Sequence, residues 1–181
     1  PTGVEPHEWE PSPREVVEVS QADLFIYNGA GLEPWADRIV KELEGKGPVV
    51  VIATEGMALR KAEDDAEAGP LDPHVWLDPV RAEQQVRAIS AALQRLDPDH
   101  AQTYGMNADA YLTLLDQLHQ AYTEGLRDCE SRTLVTTHAA FNYVASRYGL
   151  TPVAISGLTP ETEPSPGRLA QRVGALRAQG A

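Results

Sequence analysis

Four short apolar runs, none with the in-and-out alternation of a half-wet strand, restrict the possible folds of this chain more than any other feature. They are Asp23-Leu24-Phe25-Ile26-Tyr27, Pro48-Val49-Val50-Val51-Ile52-Ala53, Thr133-Leu134-Val135-Thr136 and Pro152-Val153-Ala154-Ile155. Unbroken apolar runs of this length suit strands covered on both faces, as in parallel sheets flanked by helices. Helical patterns fill the intervals, over 13–20, 33–44, 79–96, 98–128, 139–148 and 166–179. Strands and helices taking turns in this way predict an α/β class with parallel sheets.

The segment 98–128 differs in kind. Asp97 stands at the cap position, Pro98 suits the first helical residue, and apolar side chains recur at Tyr104, Ala108, Tyr111, Leu115, Leu118, Tyr122 and Leu126. That spacing draws one stripe along one face. About 30 residues at ~1.5 Å each make a rod of roughly 45 Å, long for a packing helix in a small domain. It reads as a strut between two lobes, with an ordinary long packing helix as the alternative. The expected organisation is an α/β lobe over 1–97, a linking helix over 98–128 and the start of a second α/β lobe over 129–181. A short repeat points the same way. Glu10-Pro11-Ser12-Pro13 recurs as Glu163-Pro164-Ser165-Pro166, each a serine cap followed by a first-turn proline, hence a helix start.

With 181 residues, 42% of them hydrophobic, the chain can bury a substantial core. Its 27 acidic residues against 15 basic ones, a net charge of −12, argue against nucleic acid, whose phosphates require a basic face. Glu63-Asp64-Asp65-Ala66-Glu67 is read as a solvated acidic loop. The single cysteine, Cys129, cannot form a disulfide within the chain. No apolar run reaches the length of a membrane helix and no signal segment is present. Pro1-Thr2-Gly3-Val4 reads as the interior of something longer, and the last helical pattern has no stop signal, so further segments are expected at both ends.

Chemistry concentrates on three of the five histidines. His7 lies in Glu5-Pro6-His7-Glu8-Trp9, His74 in Asp72-Pro73-His74-Val75-Trp76-Leu77-Asp78-Pro79, and His138 in Val135-Thr136-Thr137-His138-Ala139-Ala140-Phe141. Imidazoles spread along the chain but held by proline-restricted loops or strand ends are how a fold cages a transition metal. His138 follows a strand directly, and ligands of open α/β sheets gather at the carboxyl ends of strands. Asp78 is placed to cap the helix that begins at Pro79. Trp76 is expected to pack beneath the site and dry it, and Trp9 to form a second aromatic wall. His100 and His119 read as surface residues, Met57 and Met106 as packing residues.

These segments resemble the metal-binding solute-binding proteins of ABC importers, the zinc/manganese group called cluster A-I. The resemblance rests on His7 to Pro13 with Arg14-Glu15, on Ala22-Asp23 to Trp35 with Asn28-Gly29-Ala30-Gly31-Leu32-Glu33, on Asp72 to Pro79, on Thr137 to Leu150, and on Ser156-Gly157-Leu158-Thr159-Pro160-Glu161 through Pro166. It implies two α/β lobes joined by a rigid long helix with metal bound between them. His7 and His74 correspond to the ligands of the first lobe and His138 to the first ligand of the second. A carboxylate beyond the end of this chain would be the fourth, and Cys129 would pair with a cysteine outside it.

The resemblance therefore implies an extracytoplasmic receptor, a monomer and not an enzyme, that captures Zn2+ and delivers it to an ABC permease. An imidazole donor set favours zinc, and Mn2+ is the alternative within the same family. Two readings from other classes stand beside it. Three histidines with an open position also describe a zinc-dependent hydrolase, although no HExxH run is present. A module with a purely structural metal is the other.

Overall fold

The computed structural model describes residues 6–43, 45–62 and 71–158, together with Gly167 and Gly174. The second Glu-Pro-Ser-Pro copy, the acidic loop and the helix expected over 166–179 fall largely or wholly outside that range. The chain divides into two compact units that interleave in sequence, one of residues 1–59 and 83–114 and the other of residues 60–82 and 115–181. The lobe anticipated over 1–97 is thus shared between both units.

In the first unit α1 (Pro13–Gln21) starts at Ser12 as the sequence predicts. The Ser12 hydroxyl accepts the Glu15 N–H at 3.4 Å, and the Glu15 carboxylate accepts the Ser12 N–H at 2.7 Å. These reciprocal bonds satisfy two of the donors a helix leaves open at its start, and they hold the Glu15 carboxyl below its usual range. Strands β1 (Leu24–Tyr27) and β2 (Val49–Ile52) pair in parallel, Leu24 opposite Val49 and Tyr27 opposite Ile52, across helix α2 (Pro34–Glu42). One sheet face, carrying Phe25, Tyr27, Val50 and Ile52, meets the core built on Tyr27, Trp35, Ala36 and Ile39. The other face is only partly covered: Val51 is buried, while Ile26 and Val49 are 38% and 46% exposed. Among the described residues, the cover on both faces expected from the unbroken apolar runs is only partial in this sheet.

The loop leaving β1 is unusual. Gly29, Ala30 and Gly31 all have positive φ, at 80°, 57° and 86°. The Glu33 carboxylate accepts the N–H groups of Asn28 and Gly29, each at 3.0 Å, and burial raises its pKa. A β-carbon on Gly29 would stand 2.5 Å from Ile52 Cγ2 and 2.9 Å from Thr54 Oγ1. Left-handed backbone disfavours a side chain, and the stiff branched Ile52 cannot yield freely. Gly29→Ala is expected to lower stability by roughly 2 kcal/mol, read as a reduced urea midpoint. An unchanged midpoint would contradict this account of the loop.

Helices α3 (Pro79–Leu96) and α4 (Ala101–Gly125) each contribute residues to both units. The single helix expected over 98–128 is interrupted: Pro98–His100 form one 3-10 turn before α4 begins. The reason lies in Asp97, whose carboxylate receives His100 Nδ1 at 2.8 Å and the Tyr104 hydroxyl at 2.7 Å instead of capping the backbone. The stripe along α4 is also narrower than expected, with Leu112 and Leu115 buried but Tyr111 and Leu118 exposed. Met106, read as a packing residue, is 63% exposed.

In the second unit β3 (Thr133–Thr136) and β4 (Thr151–Ala154) pair in parallel across α5 (Asn142–Tyr148), which ends on Gly149 at φ 67°. A left-handed glycine is the usual helix stop. His119 is not a surface residue: it is half-buried, with Nδ1 3.0 Å from the Tyr148 hydroxyl. Burial raises that hydroxyl's pKa to about 12. Among the described residues no helix is long and apolar enough to cross a membrane.

Candidate metal centre

The segment from Asp72 to Asp78 is among the most deeply buried in the chain. Asp72, His74 and Asp78 are each 1% exposed and Val75 is fully buried. Burying polar side chains is costly unless their hydrogen bonds are made, and here they are. Pro73 forces the chain to bend, so that Asp72 Oδ1 reaches both the His74 N–H at 3.0 Å and His74 Nδ1 at 2.8 Å. The Asp72 carbonyl accepts the Tyr143 hydroxyl at 2.8 Å, and that hydroxyl in turn accepts the Arg60 N–H at 3.0 Å. Burial raises the Tyr143 pKa, keeping the phenol in its donating form. The Arg81 guanidinium lies 4.3 Å from the centre of the same ring, a cation–π contact.

At the other end of the segment Asp78 performs the helix-start role expected of it. Its Oδ1 accepts the Val80 N–H at 3.2 Å, and its carboxylate also binds the Arg147 guanidinium and lies 3.5 Å from Arg81 Nε. Tyr143 and Arg147 stand one turn apart on α5, and together they clamp both ends of the segment. This explains why residues 60–82 fold with the second unit.

These contacts orient the His74 ring. A carboxylate can only accept, so the Asp72 contact is made by a protonated Nδ1. A carboxylate behind a histidine is the arrangement that orients metal-bound imidazole and raises its basicity.

His138 is held differently. It sits just past β3, half-buried, in bends that delay α5 by three residues relative to the helix expected from 139. Its carbonyl accepts the Thr136 hydroxyl at 2.8 Å and the Ala140 N–H at 2.9 Å, while the Ala139 N–H donates to Gly157 at 2.8 Å. The strand-end position expected for a ligand is thus built from side-chain and backbone bonds, not from a regular helix cap.

Within this unit the rings of His74 and His138 lie edge to face, centroids 5.4 Å apart. A tetrahedral zinc ion holding two imidazole nitrogens at about 2.1 Å would put the two ring centroids roughly 5 Å apart. The centroid separation of the pair is close to that spacing. His7 belongs to the first unit, half-buried in the turn over residues 6–8, and the next aromatic, Trp9, packs edge-on against Trp35 at 4.9 Å. Trp9 is part of the first unit's core. Trp76 lies beside the His74 ring at 5.4 Å but is 38% exposed, so it flanks the site at its rim and does not dry it from beneath. Cys129 is an exposed free cysteine.

The sequence reading left two contributors without a role, Asp72 and Asn142. An aspartate two residues before a histidine, with proline between, was the available signal for Asp72. Nothing local marked Asn142, whose partner lies 70 positions away.

The family model described as "Zinc-uptake complex component A periplasmic" (ZnuA) matches residues 1–181. The zinc-binding lipoprotein AdcA of Streptococcus pneumoniae strain R6 is 42% identical over 179 residues, covering 93% of this chain and 36% of that protein. The high-affinity zinc uptake system protein ZnuA of Bacillus subtilis is 35% identical over 181 residues, 94% of this chain and 57% of that protein. Among solved structures, the Zn(II)-bound ZnuA-like domain of S. pneumoniae AdcA superposes with a TM-score of 0.83 at 42% identity, over 98% of this chain and 64% of that one. The chain thus spans between about one third and two thirds of the proteins it matches. With parallel sheets, flanking helices and a match along its whole length, the chain belongs to the ZnuA family of zinc-uptake components.

Proposed function

We propose that this chain is the zinc-capturing part of an extracytoplasmic receptor, a monomer, that delivers Zn2+ to an ABC permease. His7, His74 and His138 each contribute one neutral imidazole nitrogen. A carboxylate or water completes the shell. The observation that carries the reading is the His74–His138 pair, 5.4 Å apart with Nδ1 of His74 committed to Asp72, in a chain of a zinc-uptake family. Zinc is favoured over manganese because imidazole nitrogen suits zinc, whereas manganese sites are richer in oxygen donors. The hydrolase reading has no support from the relatives, which are named for zinc binding and uptake.

Protons and metal compete for the same imidazole lone pairs, so binding releases protons and weakens on acidification. Free imidazole titrates near pH 6.5. Calorimetric titration is expected to show tighter Zn2+ binding at pH 7.5 than at pH 5.5, and weaker binding of Mn2+ than of Zn2+ at the higher pH. Equal zinc affinity at the two pH values would overturn a site built from imidazoles.

A further inference from the structure

We propose that Asn142 is the positioning residue that couples the two histidine-bearing segments of the second unit, an inference that rests on the zinc reading above. Its side-chain nitrogen donates to Asp72 Oδ2 at 3.0 Å and to the carbonyl of Ala139 at 3.0 Å. Both partners are acceptors only, so the amide nitrogen, not its oxygen, must face them, and its two protons are assigned one to each. The consequences run in opposite directions along the chain. Through Asp72, whose other oxygen holds His74 Nδ1 and N–H, Asn142 sets the orientation of the His74 ring. Through Ala139, the residue next to His138, it anchors the bend that presents the His138 ring. One NH2 group thus joins two loops distant in sequence, Asn142 itself lying 70 positions from Asp72, and the 5.4 Å ring separation depends on it.

No other residue type of this size does the same. Aspartate would aim acceptor oxygens at the Asp72 carboxylate and the Ala139 carbonyl. Serine has one proton for two acceptors, and alanine has none.

The test is Co2+ binding followed by visible absorption, with Zn2+ competition for affinity, on the wild-type chain and on Asn142→Ala, Asn142→Ser and Asn142→Asp. Outer-shell partners of metal ligands typically contribute 10–100-fold in affinity. Asn142→Ala is expected to weaken binding about 10–100-fold and to shift or broaden the tetrahedral Co2+ bands, Asn142→Ser less so, and Asn142→Asp more than alanine. A purely structural residue would lower the metal-free melting midpoint and leave Kd and the Co2+ bands of the folded protein at wild-type values; that result overturns the proposal. His74→Ala and His138→Ala separate the two levels of inference. If they abolish the Co2+ bands while the Asn142 variants keep them, the positioning role fails and the metal site stands. If wild type gives no tetrahedral bands, or the histidine variants retain them, the zinc reading fails and the positioning role with it.

Discussion

Asp78→Ala is expected to be the most destabilising single change in the second unit, lowering unfolding free energy by about 3–5 kcal/mol. The magnitude follows from burial and from the number of groups the carboxylate serves. Asp78 is 1% exposed and lies against Arg147 and Arg81, whose side chains are only 29% and 20% exposed. Taking one partner from such a group leaves cationic groups partly desolvated without their shared counter-charge, and that penalty exceeds what the intact pair contributed. The same carboxylate accepts the first free N–H of α3, so the helix start is lost as well, typically about 1 kcal/mol. Asp78→Asn keeps one acceptor for the helix and is expected to lose roughly half as much. Urea unfolding followed by circular dichroism measures both. If Asp78→Ala unfolds within about 1 kcal/mol of wild type, in the range of an exposed ion pair, the clamp assigned to Asp78, Arg147 and Arg81 is wrong.

Much of the architecture was legible because local rules and tertiary packing agree. The apolar runs at 24–27, 49–52 and 133–136 are strands, and α3 occupies the interval expected for it, starting at Pro79 behind Asp78. Ser12 and Glu15 form the reciprocal cap their spacing suggests. Two of the misreadings share one cause, a side chain captured by a partner that periodicity does not reveal. Asp97 stands where a cap should be but binds His100 and Tyr104, which shortens the long helix by one 3-10 turn. His119 has the sequence surroundings of a solvated helix face and is drawn to Tyr148, 29 positions away. Trp76 has the composition of a buried wall yet stays at the rim, because Val75 and His74 occupy the buried positions of that turn. For the site, the three histidines stood out by type and setting. What holds them was hidden, since Asp72 acquires its role only when α5 brings Asn142 and Tyr143 to it.

That dependence sets the expected order of losses at the proposed zinc site. His74→Ala should weaken Zn2+ binding by more than about 100-fold, beyond the 10–100-fold typical of removing a residue that only supports a ligand. It removes a donor whose ring is locked before any ion arrives. Asp72→Asn should fall inside that 10–100-fold range, although every donor nitrogen remains. The carboxylate accepts three hydrogens, two from His74 on one oxygen and one from Asn142 on the other. An amide offers a single acceptor oxygen, so either the His74 bonds survive while its NH2 confronts that of Asn142, or the Asn142 bond survives while Nδ1 of His74 loses its acceptor. In the first case the tie to Asn142 is broken and two NH2 groups are pressed together, displacing the side chain that holds the ring; in the second the ring is released, and the proton can move to Nε2 and block the lone pair the metal needs. Zn2+ competition against a chromophoric chelator at pH 7.5 ranks the three proteins. Should Asp72→Asn bind as tightly as wild type while His74→Ala does not, the ring of His74 is oriented by packing alone, and the buried carboxylate serves the fold and not the metal.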